Sequence, residues 1–201
     1  PPLRVLKLRL EGLGQVNPAH GRRGPLEVEI DGERRLLDEA DEPVWMSVHQ
    51  LLKQHDPDLI VTEWGDTTLL PGLERQAHQH GVQLAFNRDP GSPRKSRERS
   101  YVSYGRVLFK GSATTLRGRL HVDVRNSFIA DKCELDGLWE LARIAKLPVQ
   151  YAARTTTGTG ISYMQMELAY HDDVLIPEQK AEPEDPKHPD KLFVADRGGL
   201  T

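Results

Sequence analysis

The chain has 201 residues, of which 28% are charged and 37% hydrophobic, and its formal net charge is −3. This length accommodates one domain of ordinary size with a hydrophobic core, and the composition excludes a collagen-like or wholly disordered chain. The near balance of charge excludes a uniformly basic nucleic-acid binder but not a local basic patch.

The first half of the chain shows the pattern of strands and helices in the order β-β-β-α-β-α-β. Leu6, Leu8 and Leu10 alternate with charged residues, which is typical of a half-buried strand. Asp31-Gly32 is a hairpin turn signal between two such alternations. The predicted strands cover residues 3–10, 26–30, 34–37, 59–61 and 82–86, and the predicted helices cover 44–55 and 71–80. This mixed order predicts an α/β layer fold.

The second half begins with a polar loop, predicted over residues 87–99. Its basic side chains are either a phosphate-binding patch or a solvated surface, and they are Arg88, Arg94, Lys95, Arg97 and Arg99. Further strands are predicted over 101–109 and 119–124, and helices over 135–146 and 162–170. Residues 178–190 are rich in Glu, Lys and Pro, which predicts a solvated linker or long loop.

Several features of the sequence bear on the cellular environment and the processing of the chain. No run of about 18 apolar residues is present, so we expect no membrane span. The single cysteine, Cys133, excludes an intrachain disulfide and fits a reducing cytoplasm. The chain begins with Pro1 and has no signal peptide, and we therefore expect a piece of a longer protein or a processed product.

The C-terminal third contains short motifs in a fixed order. A helical pattern ends at Pro148, the segment Arg154-Thr-Thr-Thr-Gly158 follows, and Leu175-Ile-Pro177 and Asp196-Arg-Gly-Gly-Leu200 come later. Upstream, His55-Asp-Pro-Asp58 precedes the segment Pro71-Gly-Leu-Glu-Arg75. Together these motifs resemble the exonuclease domain of family-B DNA polymerases and its connection to the palm. In that family the double-glycine motif usually begins with Tyr, whereas Asp196 stands here.

The resemblance implies a ribonuclease-H-like fold, a mixed sheet flanked by helices. It implies an exonuclease-like domain over residues 1–147, a connector over 148–177, and a linker with the double glycine over 178–201. The parent would be a DNA-directed DNA polymerase of the cytoplasm or nucleoid, acting in replication or repair and binding nucleotides. Its partners would be template and primer DNA and its own palm, fingers and thumb domains, with magnesium as cofactor of the parent and none in this piece.

The resemblance also raises the question of exonuclease chemistry, which uses two metal ions about 3.5–4 Å apart, held by carboxylates. The family supplies Asp-x-Glu in its first motif, but here Arg9 precedes Glu11. Leu69 falls on the Asp position of the second motif, and Ala130 or Lys132 replaces the Tyr of the third. The vestigial metal-ligand candidates are Glu11, Asp66, Asp123, Glu134 and Asp136. We therefore expect an inactive exonuclease site with no bound metal.

Two alternatives stay open. The first is an active 3′–5′ exonuclease whose shifted ligands are Glu11, Asp66, Asp123 and Asp136. The second is a structural interaction domain that does not contact DNA. The candidate DNA contacts are Arg94, Lys95, Arg97, Arg99, Arg154, Gly198 and Gly199. Residues 154–160 fit either a phosphate cradle or a rigid turn.

Overall fold

The computed structural model of the chain describes residues 2–12, 16–18, 24–38, 42–91, 93–103 and 106–176. The strands are β1 (Val5–Leu10), β2 (Leu26–Ile30), β3 (Glu33–Leu37), β4 (Leu59–Thr62), β5 (Arg94–Ser96), β6 (Arg99–Ser103), β7 (Arg106–Lys110), β8 (Ala113–Thr115) and β9 (Leu120–Asp123). The helices are α1 (Val44–His55), α2 (Leu70–Gln79), α3 (Phe128–Ile144), α4 (Val149–Ala152) and α5 (Thr157–His171). A π-helical turn covers Gly65–Leu69 and a 3-10 turn covers Val124–Asn126.

The central sheet has five strands in the order β3-β2-β1-β4-β9. The strands β1, β2 and β3 form an antiparallel meander, whereas β1, β4 and β9 run parallel to one another. Two antiparallel pairs, β5 with β8 and β6 with β7, lie outside this sheet. A mixed sheet with helices packed on it confirms the predicted α/β, ribonuclease-H-like class of fold.

The core consists of two clusters, one of which packs α1 and α2 against Leu6, Leu8 and Val28 of the sheet. The other packs α3 and α4 against β4 and β9. Neighbouring residues of β4 belong to different clusters: Ile60 lies in the first and Val61 in the second. The strand is therefore buried on both faces, as its continuous apolar run predicts.

The prediction of a strand over residues 82–86 is wrong. Leu84 and Phe86 are buried in the first core cluster, but the segment has no strand partner. The Nη1 of Arg119 instead donates to the backbone carbonyls of Ala85 and Phe86, at 2.6 and 3.0 Å. The buried Arg119 guanidinium thus supplies hydrogen bonds that a neighbouring strand would otherwise make to this segment.

Four further elements differ from the predictions. The predicted polar loop contains β5, and the strand predicted over 101–109 is the hairpin of β6 and β7. The helix predicted over 135–146 begins earlier, where the Oγ of Ser127 accepts from the backbone N–H of Ala130. Glu134 interrupts this helix with φ 56° and ψ −164°, so the helix is kinked there. The last helix also begins earlier than predicted, at Thr157.

The outer edge of β9 is covered by a side chain. The Oε1 of Gln150 accepts from the backbone N–H groups of Leu116 and His121, at 2.9 and 3.1 Å. Its Nε2 donates to the carbonyl of Leu116 at 2.9 Å. This amide supplies the hydrogen bonds that a further strand would make.

The chain forms two compact units, residues 1–164 and 165–201. The first contains the sheet and both core clusters, and the second is described only through Ile176. The boundary predicted after residue 147 falls inside the first unit, and the predicted linker of 178–190 lies outside the described residues. Within the described ranges, no helix is long and apolar enough to cross a membrane.

Candidate functional site

Polar side chains are buried together where β4 and β9 end. Because the two strands are parallel, their carboxyl ends meet at one edge, and Thr62 lies opposite Asp123. The members of this buried polar cluster are Thr62, Asp66, Thr114, His121, Asp123, Asn126 and Arg154. Burial of polar groups is favourable only when they are hydrogen-bonded, and these side chains bind one another.

Asp66 and Arg154 form a bidentate ion pair at the centre of the cluster. The Nε and Nη2 of Arg154 donate to the two carboxylate oxygens at 3.0 and 2.8 Å, and the side chains are 6% and 0% exposed. The backbone N–H of Thr114 and the Nδ2 of Asn126 also donate to Asp66, both at 2.7 Å. Burial opposes ionisation of Asp66, but the Arg154 guanidinium holds its pKa below the usual range.

His121 is a neutral member of the cluster. Its Nδ1 lies 2.7 Å from the carbonyl oxygen of Thr114, and its Nε2 lies 2.9 Å from the Oγ1 of Thr62. Since a carbonyl only accepts, Nδ1 carries the hydrogen and Nε2 accepts from the Thr62 hydroxyl. The Nη2 of Arg154 lies 3.1 Å from Nδ1 but donates its two hydrogens to Asp66 and to the carbonyl of Thr114. Burial lowers the pKa of His121 to about 4, in keeping with this neutral form.

Asp123 organises the backbone that follows β4. Its carboxylate accepts from the backbone N–H groups of Trp64, Asp66 and Arg125, at 2.9, 2.9 and 3.1 Å. Trp64 has φ 61°, a left-handed conformation that a bulky residue rarely adopts. Burial, together with the negative charge of Asp66, raises the pKa of Asp123 to about 7.

These shifts give Asp123 and His121 opposite effects on stability as the pH changes. The pKa of Asp123 rises from 3.8 to about 7 on folding, so its contribution is complete below pH 3.8 and is lost as the pH rises through about 7. The pKa of His121 falls from 6.5 to about 4, so its contribution is present above pH 6.5 and is lost as the pH falls through about 4.

Replacing Asp123 by Asn is therefore expected to leave the His121 effect unopposed. Between about pH 4 and 7 the free energy of unfolding of Asp123→Asn should rise more steeply with pH than that of the original chain, by up to about 1.4 kcal/mol per pH unit. Urea denaturation across this range measures the difference. Asp58→Asn is the control, since hydrogen bonds from the Arg4 backbone and the Arg88 side chain lower the pKa of Asp58 to about 2. Its effect should appear only below about pH 4, and equal slopes for Asp123→Asn and the original chain would contradict the assignment.

The other exonuclease candidates lie apart from this cluster. Arg9 is half-exposed on β1, and its Nη2 donates to the Oε2 of Glu27 at 2.8 Å. Leu69 is buried in the first core cluster, while Glu11 is exposed just beyond β1. Glu134 and Asp136 are exposed on α3. Among the described residues, no group of three His, Cys, Asp or Glu side chains is placed to hold a metal ion.

The candidate DNA contacts have different environments. Arg94 and Arg97 are exposed on and just after β5, and the Nζ of Lys95 lies 2.6 Å from the Oε2 of Glu74. Arg154 is buried against Asp66, which favours a structural role. The Arg99 side chain, Gly198 and Gly199 lie outside the part of the chain that the structure describes.

Comparisons with known proteins find similarity to DNA polymerases. A DNA polymerase of Thermococcus litoralis is 35% identical over 75 residues, which are 37% of this chain and 4% of that protein. A DNA polymerase of Pyrococcus glycovorans is 31% identical over 75 residues, or 37% of this chain and 8% of that protein. The family B DNA polymerase of the hyperthermophilic archaeon Pyrobaculum calidifontis has a similar structure, with a TM-score of 0.60 and 21% identity over 92% of this chain and 31% of its own. Part of the chain resembles DNA polymerases in sequence, and the chain resembles a family B DNA polymerase in fold. A scan against protein-family models gives no match.

This polymerase-like chain spans only a small part of each relative, so the activity and partners of a whole polymerase are proposals for it. Its residues do not fit a two-metal centre of the family type. A guanidinium at Arg9 cannot coordinate a cation and repels it. Leu69 has no donor atom, and both oxygens of Asp66 are already bound by Arg154.

Proposed function

We propose that this chain is the exonuclease-like domain of a family-B DNA polymerase, that it has lost the proofreading site, and that it acts as a scaffold that guides DNA. The observation that carries the proposal is the Arg9–Glu27 ion pair, because the resemblance assigns the position of Arg9 to the first-motif carboxylate. Two-metal hydrolysis needs several carboxylates acting as a unit, and loss of one ligand typically reduces the rate by orders of magnitude.

The carboxylates of the buried polar cluster support the same reading. Asp66 neutralises Arg154, and Asp123 fixes the turn after β4 by accepting three backbone hydrogen bonds. Both side chains are buried, so a metal ion would have to displace contacts that hold the domain together. In this proposal, Asp66 and Asp123 stabilise a domain that no longer catalyses exonuclease cleavage.

The proposed guiding role rests on the exposed cations Arg94 and Arg97 of the β5 region. Lys and Arg side chains that neutralise phosphates release counterions, and such binding weakens with salt. The proposed partners are template and primer DNA and the palm, fingers and thumb of the same polypeptide. The parent would use magnesium for polymerisation and would act in the cytoplasm or nucleoid.

The test of the lost site is degradation of 3′-labelled single-stranded DNA by the purified chain, with magnesium and separately with manganese. We expect no metal-dependent shortening, and the same background from Glu11→Ala. Metal-dependent cleavage that disappears in Glu11→Ala would overturn the proposal in favour of an active exonuclease with shifted ligands. Cleavage that persists equally in the variant indicates a contaminating nuclease and is resolved by further purification.

A further inference from the structure

A cavity of about 790 Å³ opens beside the carboxyl ends of β4 and β9. Its walls come from Trp64, the 3-10 turn, the start of α3 and the segment from α4 to Thr159. The whole chain has only three Trp, four Phe and five Tyr. Three of these, Trp64, Phe128 and Tyr151, line this one cavity. Three of the 14 described residues that line the cavity are therefore aromatic, against 6% of the whole chain.

Two of the three rings face solvent. Phe128 is 58% exposed and Tyr151 is 46% exposed. Phe128 follows the N-cap Ser127, whose hydrogen bond fixes the start of α3. Tyr151 contacts Tyr163 edge-on, with ring centroids 6.2 Å apart and an interplanar angle of 71°. The exposed parts of these rings provide flat surfaces for stacking.

The same cavity carries cationic side chains. Arg125 and Lys132 line it, although the chain as a whole is negatively charged. Arg125 pairs with Glu63 at 3.1 Å, and Lys132 with Asp131 at 3.3 Å. The Lys132–Asp131 pair is largely exposed to solvent and therefore weak, so Lys132 can turn to a phosphate at little cost. Arg125 and Glu63 are only 23% and 31% exposed, so Arg125 stays paired and contributes its charge from a fixed position. Thr156 and Thr159 add hydroxyl groups to the wall.

We propose that this cavity binds single-stranded DNA, with unpaired bases stacked on Phe128 and Tyr151 and phosphates beside Arg125 and Lys132. The proposal rests on the proposed DNA-guiding function and adds a place and a mode of contact. Stacking requires bases that are not in a duplex, and the alternation of aromatic rings with cations is typical of surfaces that bind single strands. Arg154, one of the predicted DNA contacts, lines this cavity, whereas Arg94 and Arg97 are not among its lining residues.

The experiment measures fluorescence anisotropy of a labelled oligo(dT), and of an abasic oligomer of equal length, against the full chain. We expect Phe128→Ala and Tyr151→Ala each to weaken oligo(dT) binding roughly tenfold. Tyr151→Phe keeps the ring and should bind as the original chain does. Leu36→Ala, which trims an exposed apolar side chain on β3, is the matched control and should have no effect. Circular dichroism confirms that each variant is folded.

The abasic oligomer separates stacking from attraction to phosphate. The original chain should prefer oligo(dT), and this preference should disappear in Phe128→Ala. Unchanged oligo(dT) binding by both alanine variants would overturn the cavity proposal. If the combined Arg94→Ala, Lys95→Ala and Arg97→Ala variant then loses binding, the cavity proposal fails, but the proposal that the β5 region guides DNA is supported. If the original chain binds neither oligomer, both proposals fail and the structural interaction domain is favoured.

Discussion

Replacing Arg154 by alanine is expected to lower the free energy of unfolding by about 3–5 kcal/mol. The substitution leaves the carboxylate of Asp66 buried without its charge partner. It also removes donors to the backbone carbonyls of Thr114, His121 and Gln150. Removing one partner of a buried pair is costly because the other charge stays uncompensated. Urea denaturation at neutral pH, monitored by circular dichroism, measures the change.

Arg143→Ala provides the matched control for this result. Arg143 also pairs with a carboxylate, that of Glu140, but both side chains are largely exposed. The loss of stability should therefore be much smaller than that of Arg154→Ala. Arg154→Lys should fall between the two variants, because it keeps the charge but not the bidentate geometry. Equal stabilities of Arg154→Ala and Arg143→Ala would show that the Asp66 pair contributes no more than a surface ion pair.

Gly65→Ala is expected to destabilise the fold by about 3 kcal/mol, although it adds a single methyl group. A Cβ at this position would lie 1.9 Å from the Oγ1 of Thr62 and 2.8 Å from the Nε2 of His121. These two atoms form the hydrogen bond that satisfies the buried imidazole. Either that bond breaks or the turn after β4 moves away from Asp123. Thermal and urea denaturation both report the loss.

Gly72→Ala makes the same chemical change in a different environment. Gly72 lies in α2, and a Cβ there would have no atom within 4 Å. Alanine is the better helix former, so this variant should gain about 0.5–1 kcal/mol. The two substitutions should thus have opposite signs. A Gly65→Ala variant as stable as the original chain would contradict the close packing of the buried polar cluster.

Local sequence patterns predict most of the fold. The helix predicted over residues 44–55 matches α1, and the alternation over 26–30 matches β2. These elements are set by contacts between near neighbours and by one buried face, both of which are visible in the sequence. The segment 82–86 has an equally apolar pattern, but its backbone is bound by Arg119, more than thirty residues away. A local sequence pattern cannot show that a distant arginine side chain, rather than a strand, binds this backbone.

The candidate site shows the same limit. Motif comparison singles out Asp66, Asp123 and Arg154, yet it does not indicate that Asp66 and Arg154 bind each other across 88 residues. His121 was not predicted as a site residue, although it lies in the strand predicted over 119–124. Leu120, Val122 and Val124 alternate with His121 and Asp123, a pattern that predicts a solvent-facing His121, so the sequence carries no signal of its burial. Whether the carboxylate of Asp66 binds a metal ion or a guanidinium depends on which residues the fold places beside it.

The amide of Gln150 has a consequence for how the chain can be divided and made. An uncovered edge of a sheet is a template on which another chain can add a strand, and this promotes aggregation. At β9, the outward N–H and C=O of His121 are bound by Gln150 and Arg154. Truncation after residue 147 would expose this edge and leave Asp66 unpaired. During synthesis, the β9 edge of the sheet is covered only once residues 150 to 154 have left the ribosome and docked.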